Sequence, residues 1–392
     1  MSWKTREAFT TRSTFSCGAF VVTVSNDILS FVEHWPTLSE LNHVANVRSY
    51  AFQCRDHLEI WLETIGHQRR TSPFFVSVTE KSGNPVMMFP LGVEKHRGIR
   101  FLGFLDGGVA DYNAPVLFAA AEKLDHVDIR NLWNAICRAA PPFDVALLEK
   151  ISQYVDGFRN PFYEISPGRW PVSGYYLTLQ PGGDNDALQR SSYAADNRRQ
   201  RTRISEIGEF KFRIARDRSE IDDVFETFVR QKSRRYMETG AENGLDVPAK
   251  RSYYSTLAQR LSNGYGVQLS YLSVGDDIIA THWGLVAGRR FYYLMPAYEA
   301  DVWRRFSPGR LLMEELVAWS HDNGIEAFDL GIGDEEYKLK WRAEMIALSG
   351  GLFPRTIAGR IYCALVGIRR ALKSRLSPGM IRAIKSLRVK NT

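Results

Sequence analysis

A chain of 392 residues is too long for one ordinary core and suits two domains, and its 44% hydrophobic and 24% charged content is that of a globular protein. No apolar run approaches the roughly 20 residues that a membrane-spanning helix needs. The net charge of +7 is concentrated at one end: residues 355–392 hold ten Lys or Arg and no acid, which leaves 41 basic against 44 acidic residues, or −3, for the body. A near-neutral body argues against a broad nucleic-acid surface, and no nucleic-acid partner is expected; the tail alone asks for something anionic.

Taken in order, Phe15 to Val24 is apolar and follows Lys4, Arg6 and Arg12, but Ser and Thr dilute it and no small-residue cleavage site follows, so a signal peptide is not expected. The four cysteines, Cys17, Cys54, Cys137 and Cys363, form neither a metal-ligand spacing nor a disulfide framework, and no metal is expected. Such scatter suits a reducing cytoplasm. Residues 28–65 read mostly as helix, from Leu29, Phe31, Val32 and Trp35 through Phe52, Leu58, Ile60, Trp61 and Ile65. Phe74 to Val78 and Val86 to Val93 predict a hairpin turned at Lys81-Ser-Gly-Asn-Pro85, with Ile99 to Phe104 as a third strand. Asp111-Tyr-Asn-Ala-Pro115, at the end of the third strand, is a turn, either with a packed tyrosine or placed as the ligand loop of the second domain is; Asp128 to Ala139 is an amphipathic helix and Asp144 to Leu148 a strand. Pro161 to Gly183 is a Pro-, Gly- and aromatic-rich link with a strand at Gly174 to Leu179.

The Arg-laden segment Arg190 to Arg218 packs Arg198, Arg199, Arg201 and Arg203 closely, either as a solvated helix face or as a patch that receives phosphates. A helix around Ile221, Val224, Phe225 and Phe228 breaks at Gly240 and Gly244, and a second, from about Lys250 to Leu261, ends at Asn263-Gly264. Val267 to Val274 and Ile278 to Val286 alternate as two strands around Gly275-Asp-Asp277. This order of elements resembles that of the first half, so two related α/β domains in tandem are expected: residues 1–180, degenerate; residues 181–354, which would hold the donor; and a tail, residues 355–392. The tail sets Ile357, Ile361, Leu365, Ile368 and Leu372 at helical spacing among Arg360, Arg369, Arg370 and Lys373, and breaks at Leu376-Ser-Pro-Gly379. It either lies on an anionic membrane or packs back on the body.

The richest stretch is Arg290 to Trp341. An aromatic strand, Arg290-Phe-Tyr-Tyr-Leu-Met-Pro296, precedes Ser307-Pro-Gly-Arg310, a helix from Leu311 to His321, and a short strand, Ala327-Phe-Asp-Leu330. Ser307 is a good N-cap, Pro308 suits the first helical position, and Gly309 leaves the backbone open. Together with Arg310 this reads either as a simple cap or as a phosphate-binding helix start. Pro296 cannot donate to a ladder, so Met295-Pro296 is where a strand would splay and leave amides for a carbonyl oxygen. His282 shares a strand face with Ile278, Ala280 and Gly284, as a base or as a core residue. Asp329 is a carboxylate inside an apolar strand, which asks either for a substrate amine or for a neighbouring basic partner. Beyond Gly331-Ile-Gly333 and Asp334-Glu-Glu336, Tyr337 and Lys338 read either as site residues or as packing, and Trp341 anchors the core. No Gly-x-Ser-x-Gly elbow, Walker loop, Cys-x-x-Cys pair or His-Glu-x-x-His motif occurs, so hydrolase, NTPase and zinc chemistries lack their signatures.

The Phe306-Ser-Pro-Gly309 loop, its Leu-rich helix, the strand end Phe328-Asp-Leu-Gly331, and Tyr337-Lys338 with Trp341 resemble, in that order, the GNAT acyltransferases. The detail is similar to their BioF2-like, FemAB-related branch, which includes acetyltransferase-like proteins of cellulose and exopolysaccharide biosynthesis; the resemblance extends from about Ile28 to Phe353. It implies an α/β fold of two GNAT-like domains, mixed sheets flanked by helices. It also implies a cytoplasmic enzyme, placed at or near the inner face of the membrane, that moves an acyl group from acetyl-CoA or another acyl-CoA to an amine or hydroxyl of a sugar or polysaccharide precursor. Met295, Pro296, Ser307, Pro308, Gly309 and Arg310 would hold the donor, Asp329 and His282 would stand near the acceptor, and Tyr337 and Lys338 would flank the leaving group. Two alternatives stay open: an aminoacyl-tRNA-dependent transferase of FemAB type, and a non-catalytic scaffold of a membrane polysaccharide-synthesis complex.

Overall fold

The computed structural model describes residues 12–42, 46–166, 168–183, 186–262 and 266–375. The helix stop at Asn263-Gly264 and the tail beyond Leu376 lie outside the described residues. In the first half β1 (Arg12–Cys17), β2 (Phe20–Ser25), β3 (Ser72–Glu80), β4 (Pro85–His96), β5 (Ile99–Phe104) and β6 (Val145–Ser152) lie side by side in that order. The second sheet is built from β7 (Gly174–Thr178), β8 (Phe210–Ile214), β9 (Gly266–Val274), β10 (Asp277–Ala287), β11 (Arg290–Tyr298), β12 (Ala327–Ile332) and β13 (Glu344–Ile346), in the spatial order β8-β9-β10-β11-β12-β7-β13. The last strand, β14 (Leu348–Pro354), returns to the first sheet and pairs with β6.

The helices follow from periodicity and caps. In α1 (His126–Ala139), Asp125 accepts from the amides of Val127 and Asp128, and Ile129, Leu132, Trp133 and Ile136 form the buried face. Full burial of each such side chain contributes about 1.5–3 kcal/mol. After α2 (Ala194–Ser205), Asp217 caps α3 (Arg218–Thr239), which stops at Gly240 in the left-handed region; α4 (Pro248–Leu261) follows. Further along the chain come α5 (Pro308–Asp322), α6 (Glu336–Lys340) and α7 (Ile357–Arg375), among shorter helices left unlabelled.

Each sheet contains one parallel pair of long strands joined through a helix, and in each the pairing is brief. β5 and β6, linked through α1, share only Phe101↔Val145 and Leu102↔Ala146; β11 and β12, linked through α5, share Arg290↔Ala327, Phe291↔Phe328 and Tyr292↔Asp329. The tandem arrangement is therefore real, but the sheets are not divided at residue 180. β7 precedes that boundary and belongs to the second sheet, while β14 follows the second half and completes the first sheet. A second departure concerns residues 28–65. The segment's described residues run as short 3₁₀ turns and a two-residue strand, Val47–Arg48, with an α-helix only from Arg55, because Pro36 has no N–H to give and Trp35, Leu38, Tyr50 and Phe52 plug the core separately. One core cluster contains residues of both halves, and a second lies under α5.

Where the halves meet, Tyr112 donates to Asp329 Oδ1 at 2.8 Å, and Arg290 spans Asp329 Oδ2 at 2.8 Å and Asp156 Oδ1 at 2.7 Å. Tyr50 stacks on Tyr112 with centroids 4.7 Å apart, and the amide of Ala51 donates to the Tyr292 hydroxyl at 3.2 Å.

Candidate active site

Along β11 the register with β10 shifts between Trp283↔Met295 and Leu285↔Tyr292, so β11 carries one extra residue at Tyr293–Leu294. On its other side the parallel pairing with β12 ends at Tyr292. The two strands part there, and Leu294, Met295 and Pro296 are half-buried along the opened edge. The expected splay thus exists, but it begins before Met295-Pro296. Pro296 itself stays in register with His282 on the β10 side, and its carbonyl accepts from Lys232 Nζ at 3.1 Å.

The start of α5 lies beside this edge, with a Cβ added at Gly309 meeting Tyr298 Cδ1 at 3.1 Å. Pro308 occupies the first helical position as expected, but Ser307 does not cap with its hydroxyl. Its backbone sits in the left-handed region (φ 55°, ψ 52°), and its carbonyl, not its side chain, receives the amides of Arg310 and Leu311. Among the described residues nothing accepts from the Gly309 amide. Arg310 pairs with Asp196 and lies over the Tyr193 ring at 4.7 Å, half-buried. The arginines of α2 brace this start: Arg201 bonds Glu314 and Glu315 of α5, and Arg203 lies over Phe306. The equivalent helix of the first half, α1, differs in one decisive respect. The Asp125 carboxylate already occupies its first-turn amides, so an incoming phosphate would meet a negative charge.

Against Gly331 and Ile332 of β12, from the first half, stands Asp111. It is half-buried, and burial together with the charge of Asp329 raises its carboxyl to about 7, against the pull of Lys150 and Lys338. Burial raises the phenols of Tyr254 and Tyr337, and the charge of Asp111 adds to it in both, in Tyr337 after that of Glu335. Tyr337 therefore keeps its proton at neutral pH, and its hydroxyl has no hydrogen-bond partner among the described residues. Lys232 lies 5.5 Å over the Tyr236 ring; burial, then Arg235, lowers its ammonium to about 8. Asp111 was legible only as an Asp-Tyr turn at the end of a strand; Lys232, Tyr236 and Tyr254 carried no signal, being ordinary members of amphipathic helices.

Three residues expected at the site serve elsewhere. His282 is fully buried, stacked 4.7 Å from Tyr293 and 5.5 Å from Phe291. Burial pushes its imidazole down to about 3, and neither ring nitrogen has a partner among the described residues, so it is a neutral core side chain. Asp329 is sealed too: besides Tyr112 and Arg290 it accepts the Gly331 amide at 2.8 Å, which leaves no free face for a substrate amine. Lys338 donates to the carbonyls of Gly331 (3.1 Å) and Gly333 (2.9 Å) and to Glu335 (2.9 Å); with all three protons engaged it clamps the loop rather than an anion. Trp341 is buried, as expected of an anchor.

A cavity of about 360 Å³ opens where β5 and β6 part. Arg69, Glu94, Glu149, Lys150, Trp170 and Ile332 line it, so charged groups alternate with one indole face. Among the described residues no group of three or more His, Cys, Asp or Glu side chains is placed to hold a metal ion.

Two sheets with matching parted parallel pairs, a bulged strand and a helix start left open beside it make up a tandem GNAT-like fold. Residues 191–339 match the family model for an acetyltransferase (GNAT) domain. The crystal structure of FemX is similar in fold at 11% identity, over 83% of this chain and 96% of that one, with a TM-score of 0.58. The C-terminal domain of a putative lysylphosphatidylglycerol synthetase from Agrobacterium fabrum (13% identity, 79% and 95% covered, TM-score 0.45) is a further match. So is a tandem GNAT protein from the clavulanic acid biosynthesis pathway (10%, 88% and 99%, 0.45). No curated protein matches the sequence.

Proposed function

We propose that the protein transfers an acyl group, acetyl or longer, from acyl-CoA to an amine or hydroxyl of a sugar or polysaccharide precursor of the cell envelope, as in cellulose or exopolysaccharide synthesis. The observation that carries this reading is the contrast between the two helix starts: α1 is closed by its own carboxylate, whereas α5 presents the Gly309 amide beside a parted strand pair. The residues present fit a diphosphate there, with Gly309 and Arg310 as donors, Arg310 being shared with Asp196. Acyl-CoA supplies the activated acyl group. The opened edge at Met295 and Pro296 would take the acyl arm, and the cavity lined by Lys150, Trp170 and Ile332 would take the acceptor, its indole suited to a sugar face. Asp111, poised near neutrality, accepts the proton of the acceptor N–H or O–H, and Tyr337 returns one to the departing sulfur.

Titration calorimetry with acetyl-CoA tests the donor site. An acid at this helix start suits the helix but repels phosphate, so Gly309→Asp is expected to weaken binding by about tenfold or more without lowering Tm. Unchanged affinity, or binding of an aminoacyl-tRNA in place of acyl-CoA, would overturn the assignment.

A further inference from the structure

The helix α7 leaves its apolar residues outside. Ile357, Ile361, Leu365, Ile368 and Leu372 are 77%, 58%, 56%, 56% and 58% exposed. At about 100° per residue they fall within one narrow stripe. The opposite side holds the helix on the body. Gly359 packs so closely that an added Cβ would lie 2.0 Å from the Asp144 carbonyl oxygen, Tyr362 meets Phe101 edge-on at 5.1 Å, and Thr356 Oγ1 donates to Asp144 at 2.8 Å. Packing and stripe thus lie on different faces, and the helix is pinned with its apolar side turned away from the protein. Arg360 and Arg369 are exposed, and by the same angular count they flank the stripe on its two sides.

Charge selects the occupant. Residues 355–375 include six arginines or lysines and no acid, while the remainder of the body is slightly acidic. A second copy of this helix laid on the first would set like charges against each other. An anionic lipid surface offers hydrocarbon to the stripe and phosphate to the flanking guanidiniums at once. We propose that α7 is a fixed docking face for an anionic bilayer, with the helix axis in the headgroup plane. The proposal is independent of the transferase reading.

Co-sedimentation of the full chain with vesicles tests it. Binding is expected to phosphatidylcholine vesicles containing phosphatidylglycerol, to fall with added salt, and to be lost on pure phosphatidylcholine. Leu365→Ser with Ile368→Ser, both at exposed positions, removes apolar contact and is expected to reduce partition about tenfold or more at unchanged Tm. Arg360→Gln with Arg369→Gln should do the same on anionic vesicles. Partition that either pair of substitutions leaves unchanged would overturn the proposal. So would equal binding to both vesicle types, or light scattering showing a dimer that the serine variant dissociates in a chain that ignores vesicles.

Discussion

At the residue scale the site turns on one carboxylate held out of its usual range. Burial and a neighbouring negative charge raise Asp111 to about 7, so the folded state binds a proton there that the unfolded chain releases from near pH 4 upward. Its contribution to stability is therefore present at acid pH and is lost as pH rises toward and through about 7. Asp111→Asn is expected to raise Tm at pH 8 by about 1–2 °C relative to the parent and to change it little at pH 5, while activity falls by about a hundredfold or more. Thermal denaturation at the two pH values, paired with a pH–rate profile that loses its limb near 7, checks both halves of the statement. The sequence made Asp329 conspicuous, correctly, as a carboxylate needing a reason. The reason is Arg290 and Tyr112, the latter contributed by the other half of the chain, and no local pattern could announce it. Removing the carboxylate (Asp329→Ala) leaves a buried guanidinium and phenol underbonded, and is expected to destabilise by about 3–5 kcal/mol, measured by denaturant unfolding. Gly331 beside it is needed twice over: its φ is +70°, and a Cβ would meet Asp111 Oδ2 at 2.3 Å.

At the scale of elements, the two helix starts show what sequence rules can and cannot tell. Pro308 at the first position was legible from residue type, whereas the helix expected from Asp128 begins at His126 behind an Asp125 cap. The failure of Ser307 to cap was not legible, since it follows from a left-handed backbone that turns the hydroxyl away. Likewise, the proline in β11 pointed to a parting of strands, but the extra residue that creates it sits upstream, at Tyr293–Leu294, where the residues themselves are ordinary strand formers. The attachment of α7 is a matter of one close approach. Gly359→Leu is expected to lift the helix from Asp144, so that limited trypsin digestion cuts within residues 355–375 at least ten times faster while acetyl-CoA affinity is kept. Equal protection in parent and variant would show that the contact at Gly359 does not hold the helix.

For the whole molecule, tandem repetition was readable as element order, but the exchange of strands was not. β7 and β14 look like any short apolar run, and which sheet a run joins is settled by long-range packing. The shared core and the Tyr112–Asp329–Arg290–Asp156 chain join the halves so closely that differential scanning calorimetry is expected to show one cooperative transition rather than two. Two resolved peaks would mean that the halves melt independently.

The late return of β14 also bears on how the protein is made. A ribosome releases β6 nearly two hundred residues before the strand that covers its edge. The emerging polypeptide must carry that bare edge through most of its own translation, which is when unpaired strands recruit wrong partners. Premature termination anywhere before Leu348 should therefore yield aggregate rather than a usable fragment.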